Sequence, residues 1–175
     1  MSRWLRLTPV VLLVLVVAAL VWRLAHPEDT TIKSRMIGKL VPNLVLPPAV
    51  PGKLGWRLQS ANCGPVVINF FASWCAPCIA EARMLADLKS QGVPMVGIAV
   101  RDRPQDVAGF LARNGDPYEA IGADLESKVQ LAFGSSGVPE TFVVDPYCKI
   151  RHQHIGPIEP KDIATIRKQW EGLRK

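Results

Sequence analysis

The sequence predicts an α/β fold in which helices flank a central mixed sheet, behind an N-terminal transmembrane anchor. Three observations support this prediction. The apolar, β-branched run 66–71 predicts a buried strand, and apolar residues at helical spacing follow over 79–88. A second strand–helix pair comes next, and this order predicts parallel strands joined by a right-handed crossover. Two strand patterns with a short link then predict a hairpin before a last helix.

Composition is that of an ordinary globular protein. The chain has 175 residues and a net charge of +6, enough for about one domain once the N-terminus is set aside. Three of the 21 basic residues, Arg3, Arg6 and Arg23, flank an apolar N-terminal run, and all 15 acidic residues follow it. The remainder carries 18 basic against 15 acidic side chains, a balance that gives no indication of nucleic-acid binding.

Residues 1–25 predict a single membrane-spanning helix. Its apolar centre, 7–22, is about 24 Å long as a helix, short of the roughly 30 Å hydrocarbon core, and apolar neighbours extend it. Basic residues are more numerous before the run than after it, so the N-terminus is expected in the cytoplasm. A cleaved signal peptide is the alternative, with a cut near 17–19 that would interrupt the apolar run. Either way the remainder is exported to a compartment where disulfides persist.

The segment between this helix and the main strands is predicted to be irregular. Residues 26–35 are polar and predict a tether, so the folded domain is expected to span 36–175. A short strand region is predicted over 36–46, interrupted by Pro42, and another over 54–58. Between them a loop is predicted from its prolines and glycine, Pro47, Pro48, Pro51 and Gly52.

Two cysteines three positions apart mark the junction between the first long strand and its helix. A helix start presents free N–H groups and the positive end of the dipole, which favour a thiolate at Cys75. A thiolate is the attacking species in disulfide exchange, and Cys78, one turn later, is placed to resolve the mixed disulfide. Pro77 suits the first turn because its missing N–H costs nothing there. The alternatives are a structural disulfide or half of a zinc site, and zinc would require a second ligand pair.

The second half of the chain continues the alternation. Residues 94–100 predict a buried strand, and Asp102 is expected to cap a helix that begins near Pro104 and ends at Gly115. Over 116–136 we expect only a short helix, at 125–133.

A hairpin and a helix complete the chain. The strands are predicted over 141–144 and 150–155, and the last helix opens at Pro160 with Ile163, Ile166 and Trp170 on one face. A βαβ unit followed by ββα, with Cys-x-x-Cys at the first βα junction, is the thioredoxin-like arrangement.

Several segments resemble one family within this fold. The stretch 71–78 (Phe-Ala-Ser-Trp-Cys-Ala-Pro-Cys) is similar to the active-site segment of membrane-anchored thioredoxin-like reductases. Residues 121–124, 137–145 and 154–158, with Gly-Val-Pro-Glu-Thr-Phe as the most specific part, resemble the CcmG/DsbE proteins of cytochrome c maturation. The resemblance extends from about residue 36 to 172.

The resemblance implies an enzyme-like thiol:disulfide reductase, anchored by a single pass in the inner membrane with its domain in the periplasm. A membrane thiol transporter would donate electrons, and the oxidised Cys-x-x-Cys-His of apocytochrome c, or its thiol-handling partner, would accept them. No cofactor or metal is implied. The alternatives are a general periplasmic reductase that serves copper-site assembly of an oxidase, and a copper chaperone that binds Cu(I) through the cysteine pair. A redox-inactive docking domain is opposed by the intact cysteine pair.

The resemblance also assigns roles around the cysteines. Pro139 would be a cis proline beside the pair and would expose the Val138 backbone to a substrate chain; a simple turn proline is the alternative. Many thioredoxins have a buried Asp where this chain has Asn69, which is neither acid nor base. This difference makes Glu140 the better candidate for proton handling, or leaves the task to water. An exposed strand-edge carboxylate is the other interpretation of Glu140. The substrate groove is expected to include Trp74, Ala76, Pro77 and Val138.

The remaining cysteines, Cys63 and Cys148, lie outside the family pattern. In this fold the strand 66–71 pairs antiparallel with 141–144, and a register with Cys75 near Pro139 brings Cys63 and Cys148 together at the other end of the sheet. We therefore predict a structural disulfide between them, with two free thiols as the alternative. His152 and His154 alternate on the last strand but lack an evident third metal ligand.

Overall fold

The computed structural model describes residues 3–25, 36–43, 45–57 and 63–174, and at the ends of the first helix it describes the backbone only. The chain divides into two compact units, Met1–Lys33 and Ser34–Lys175. The first contains helix α1, Arg3–Ala25. Within the described residues, no helix reaches the length and apolarity of a membrane span. The predicted tether, 26–35, lies outside the described residues.

The second unit is built on a five-stranded mixed sheet in the order β5-β4-β3-β6-β7. Neighbours β3, β4 and β5 are parallel, whereas β6 is antiparallel to both β3 and β7. The first long strands are thus parallel, and the last two form a hairpin, as predicted. The strands are β3 Val66–Phe71, β4 Met95–Val100, β5 Ala120–Asp124, β6 Glu140–Val144 and β7 Ile150–Ile155.

Helices and a small ribbon cover the two faces of this sheet. On one face, α2, α3 and α5 pack in a core cluster that also contains Cys75 and Cys78. On the other face, α4 and a two-stranded ribbon cover a second cluster rich in aromatic rings. The helices are α2 Ala76–Ser90, α3 Pro104–Asn114, α4 Lys128–Ala132 and α5 Pro160–Glu171, and the ribbon strands are β1 Val45–Leu46 and β2 Trp56–Arg57.

Alternation along β3 separates these two faces. Val67 and Phe71 belong to the cluster with the cysteines, and Ile68 and Phe70 to the aromatic cluster. Asn69 shares the face of its neighbours two positions away. All six residues of β3 are buried, as expected for a strand covered on both sides.

Strand β5 was not predicted. The stretch 120–124 has Gly and Ala where a strand usually has bulky residues, so its pattern is weak. The structure supplies the reason at Gly122, because a Cβ there would lie 2.8 Å from the Leu46 side chain and 3.0 Å from the Trp56 Cβ. The ribbon thus packs directly on the backbone of β5, and only glycine leaves room for it.

The chain before β3 contains less strand than predicted. Leu40 forms an isolated antiparallel bridge with Lys149, and the ribbon strands are two residues each. The loop between the ribbon strands is hydrogen-bonded to the sheet: the Ala49 N–H donates to the Ile121 carbonyl at 2.9 Å. The short helix predicted at 125–133 is shorter too, over Lys128–Ala132.

Candidate functional site

The first cysteine of the pair is the N-cap of α2. Cys75 has φ −89° and ψ 105°, and its Sγ accepts the Cys78 N–H at 3.2 Å. The two sulfurs form a disulfide, and the side chains are 4% and 1% exposed. Helix α2 begins at the next residue, and Pro77 lies in its first turn. The Cys78 N–H also donates to the Cys75 carbonyl at 3.1 Å. A first-turn helix N–H therefore points at the sulfur that would become the thiolate.

The loop before the cysteines is tied to the end of β4. Ser73 donates to Asp102 twice, from its N–H at 2.5 Å and from its Oγ at 2.8 Å. Asp102 is 6% exposed and also accepts the Arg103 N–H at 2.9 Å. The N-cap of α3 is Arg103, so the predicted capping role of Asp102 is wrong. Its carboxylate fixes the position of the cysteine loop instead, a tertiary contact with no local sequence signal.

The surface around the cysteines is apolar and exposed. Trp74 is 61% exposed and donates its Nε1–H to the Arg101 carbonyl at 3.4 Å. Ala76 and Pro77 are exposed as well. The Val138–Pro139 peptide bond is cis, and Val138 is half-buried against the core cluster that contains the cysteines. These residues share the sheet end at which β3 and β4 finish and β6 begins.

Glu140 lies on the other face of the sheet from α2. It pairs with Phe70, whose side chain belongs to the aromatic cluster, and residues directly opposite in a ladder share a face. Its buried carboxylate accepts the Ser136 N–H at 2.8 Å and also the Gln153 amide. Glu140 thus holds the segment before the cis proline in place. It is not an exposed edge carboxylate, and its side chain lies on the opposite face of the sheet from Asn69.

A different carboxyl lies on the sheet face that α2 covers. Glu81, on α2, is fully buried and lies three residues after Cys78, hence on the same side of the helix. It accepts the Asn69 Nδ2–H at 2.9 Å and the Ile158 N–H at 3.0 Å. Burial raises the pKa of this carboxyl to about 7, against the lowering effect of both hydrogen bonds. A group with such a pKa can take up or release a proton near neutral pH.

Glu81 was not singled out from the sequence, although the signal was present. Cys78, Glu81, Ala82, Leu85 and Leu88 recur at helical spacing, and all five are buried. A charged residue within the apolar stripe of a helix that starts at a redox pair indicates a buried ionisable group.

Comparison with known proteins identifies the family. The model of the Redoxin family matches residues 37–169. The thiol:disulfide interchange protein DsbE of Escherichia coli (strain K12) is 33% identical over 181 residues, which cover 100% of this chain and 98% of the relative. The chain belongs to the DsbE family.

Two further comparisons agree with this assignment. The DsbE homologue of Paracoccus denitrificans is 34% identical over 145 residues, or 82% of this chain and 80% of the relative. A crystal structure from Chlorobium tepidum, described as a DsbE thiol:disulfide interchange protein, superposes with a TM-score of 0.62 at 26% identity. It covers 79% of this chain and 98% of its own. The DsbE-family chain is therefore a thiol:disulfide oxidoreductase with a thioredoxin-like fold.

The DsbE-family domain carries a second disulfide far from the cysteine loop. Cys63 and Cys148 are bonded, with Cα atoms 5.2 Å apart. The predicted register, with Cys75 near Pro139, would place Cys148 opposite Val66. The observed register is displaced from it, because Val66 faces Val144. The turn after β6 brings Cys148 back to Cys63, so the pair lies at the end of the sheet where β3 begins.

His154 of β7 contacts the segment around the start of α5. The His154 Nε2 is 3.2 Å from the Pro157 carbonyl oxygen and 3.8 Å from the Asp162 carboxylate. The pKa of His152 is lowered by burial and by the neighbouring His154. Across the part of the chain that the structure describes, no group of three or more His, Cys, Asp or Glu side chains could hold a metal ion.

Proposed function

We propose that this DsbE-family chain reduces disulfides of client proteins in the periplasm during the maturation of cytochromes c. The observation that supports this most directly is the arrangement of the cysteine pair: a sulfur at the N-cap of α2, with a buried carboxyl one turn beyond its partner. When Glu81 is ionised, its charge opposes a neighbouring thiolate, and this favours the disulfide form of the pair. A pair that prefers its disulfide form gives up electrons readily and is therefore suited to act as a reductant.

The first step is attack on the substrate. In the reduced chain, the Cys75 thiolate attacks one sulfur of the substrate disulfide and forms a mixed disulfide, and the other substrate sulfur leaves as a thiolate that takes a proton from solvent. The Cys78 N–H, which points at Sγ of Cys75 at 3.2 Å, and the helix end stabilise the attacking thiolate.

The second step releases the reduced substrate. Cys78 loses its thiol proton and attacks Sγ of Cys75, which forms the intramolecular disulfide and expels the second substrate thiolate. Glu81 takes up the Cys78 proton, since it is buried on the same side of α2 and its pKa is about 7. The second substrate thiolate takes its proton from solvent, so the substrate has gained two electrons and two protons. The chain has lost two electrons, and Glu81 holds the Cys78 proton until it ionises again.

The exposed apolar surface supports binding of an extended peptide. The Val138–Pro139 bond is cis, and Val138 packs against the core cluster that contains the cysteines. In this proposal a substrate strand pairs with the Val138 backbone. Trp74, Ala76 and Pro77 supply the opposite side of the contact. We take the substrate to be the oxidised Cys-x-x-Cys-His segment of apocytochrome c, or the cysteine pair of a thiol-handling partner.

The proposed location and donor complete the cycle. Residues 1–25 would anchor the chain in the inner membrane by a single pass, with residues 26–35 as a tether and 36–175 as the periplasmic domain. The support is the apolar run bounded by Arg3, Arg6 and Arg23. A membrane thiol transporter would return two electrons to the Cys75–Cys78 disulfide.

The test combines a potential with a substrate. The reduction potential of the full chain, measured against a thiol buffer, is expected near or below roughly −270 mV. The reduced chain is expected to reduce an oxidised Cys-x-x-Cys-His peptide, and Cys78→Ala is expected to accumulate the mixed disulfide with that peptide, detected by mass spectrometry. A potential near roughly −120 mV, typical of a strong oxidant, would overturn the proposal.

A further inference from the structure

Asn69 is a polar side chain at the centre of the sheet. It occupies β3 between Val67 and Phe71 and is fully buried. Its Nδ2 donates to the Glu81 carboxylate at 2.9 Å and to Thr141 Oγ1 at 3.0 Å, and its Oδ1 accepts the Tyr118 hydroxyl at 2.6 Å. One amide therefore joins α2, β6 and the segment before β5.

These contacts satisfy a group that would otherwise be costly to bury. An unpaired amide in an apolar interior destabilises a fold by a few kcal/mol, or about 1–3 kcal/mol in mutational data. Both amide hydrogens of Asn69 are used, and its oxygen has a donor. The arrangement shown suits an ionised Glu81, because Asn69 presents N–H to it and Tyr118 presents O–H to the amide oxygen.

The same three partners also suit a protonated Glu81. A half-turn about the Cβ–Cγ bond of Asn69 exchanges its oxygen and nitrogen and leaves the heavy-atom positions almost unchanged. The amide oxygen then faces Glu81 and Thr141, so it accepts the new carboxyl O–H and the threonine hydroxyl. One amide N–H then donates to the Tyr118 oxygen, which can accept as well as donate, and the second N–H has no partner among these three groups.

We propose that Asn69 is the positioning residue that allows the Glu81 carboxyl to hold and release the proton of Cys78 inside the core, by turning its amide between these two orientations. This proposal rests on the proposed function, in which Glu81 receives that proton. Aspartate at position 69 could not act in this way, because two adjacent buried carboxyls cannot both ionise readily.

When Glu81 gains or loses its proton, the Asn69 amide is the group that turns, and the other groups around Glu81 keep their positions. Ile158 donates its N–H at 3.0 Å in either state. The pKa of Tyr118 is raised well above its usual value by burial and by the charges of Glu81 and Asp116, so the phenol stays neutral. Asp116 is paired with Lys53 at 2.7 Å. Thr141, from β6, contributes a hydroxyl that can serve as donor or acceptor.

The test measures the titration of Glu81 in the full-length, reduced chain. The chain is labelled with glutamate carrying ¹³C at the side-chain carboxyl, and the rate at which oxidised glutathione is reduced to two thiols is measured across the same pH range. Wild type is expected to show a carboxyl midpoint near pH 7 and a rate inflection at the same pH. Glu81→Gln is expected to lack both.

Removal of the amide partner should displace that midpoint. Asn69→Ala is expected to raise it by about one pH unit or more, since a hydrogen bond to the charged form is lost. Tyr118→Phe keeps the ring and removes one hydroxyl; it is expected to raise the midpoint by a smaller amount and decides the matter if Asn69→Ala does not fold. Asn114→Ala, which removes an amide that donates to the Phe110 carbonyl, is the matched control with an unchanged midpoint.

The outcomes separate the two proposals. If Glu81→Gln removes the inflection while Asn69→Ala and Tyr118→Phe keep the wild-type midpoint, Asn69 is a packing residue and this inference is overturned alone. If Glu81→Gln retains the inflection, another group receives the Cys78 proton, and the role of Glu81 in the proposed function is overturned together with it.

Discussion

At the scale of single residues, the buried glutamates Glu81 and Glu140 have different roles because they lie on opposite faces of the sheet. Glu81 shares the face of the cysteine helix and has a pKa of about 7. Glu140 shares the face of Phe70 and binds the Ser136 N–H at 2.8 Å. A carboxylate that holds a backbone N–H orders the segment it binds, so Glu140 fixes the approach to the cis proline.

We predict that Glu140→Ala weakens exchange with peptides more than exchange with small disulfides. The substitution leaves the Ser136 N–H without its acceptor, and the loss of a charged acceptor costs about 2 kcal/mol. The rate with an oxidised Cys-x-x-Cys-His peptide should fall about tenfold through KM, whereas the rate with oxidised glutathione should change little.

Glu140→Gln is the matched control, since its amide oxygen can still accept the Ser136 N–H. Equal losses with peptide and with glutathione would show that Glu140 acts on the cysteines themselves.

At the scale of elements, contacts between segments distant in sequence hold the cysteine loop and the start of β3. Asp102, after β4, fixes the loop through Ser73. At the other end of the sheet, the Cys63–Cys148 disulfide joins the segment before β3 to the turn between β6 and β7 across 85 residues. A cross-link over so long a loop restricts the unfolded chain strongly.

We predict that the double substitution Cys63→Ala, Cys148→Ala lowers the free energy of unfolding by about 4–5 kcal/mol in the chain-entropy model. The reduction potential of the Cys75–Cys78 pair should be unchanged, because it lies at the opposite end of the sheet. Chemical unfolding of the oxidised chain measures the first quantity, and equilibration with a thiol buffer measures the second.

The comparison is Cys75→Ala, Cys78→Ala, which removes a disulfide between residues three apart. Its loss should be about 3 kcal/mol smaller, since the closed loop is short. Alkylation of both Cys63 and Cys148 without reductant would contradict the prediction.

At the scale of the whole molecule, the buried Glu81 carboxyl makes the free energy of unfolding depend on pH. The pKa of Glu81 is about 7 in the folded domain, against an ordinary value of 4.5, so the unfolded chain ionises first as pH rises. Its favourable contribution is complete below pH about 4.5 and is lost as pH rises through about 7. The domain is thus less stable above pH about 7, because the Glu81 carboxyl ionises there in a buried position.

We predict that Glu81→Gln stabilises the full chain by about 3 kcal/mol at pH 8 and by almost nothing at pH 4.5. The glutamine amide reproduces the hydrogen bonding of the protonated acid but cannot ionise. Chemical unfolding of both proteins at the two pH values gives the difference. Glu126→Gln, at an exposed carboxyl paired with Lys128, is the control without a comparable gain, and an equal gain at both pH values would contradict the prediction.

The sequence predicted the thioredoxin-like class and the position of the cysteine pair at a strand–helix junction. It also predicted the hairpin and the last helix, whose Ile166 and Trp170 are buried. Each of these follows from local patterns: periodicity of apolar residues, proline at a helix start, and the spacing of two cysteines.

The tertiary structure shows which residues distant in sequence are in contact. It revealed β5, whose glycine is required by packing of the ribbon rather than by strand propensity, and it moved Asp102 from a helix cap to a support of the cysteine loop. It also placed Glu81 on the sheet face that α2 covers and Glu140 on the far face, because strand alternation and ladder register assign side chains to faces. A shift of one residue in register exchanges those faces, and sequence patterns alone do not fix register to that precision.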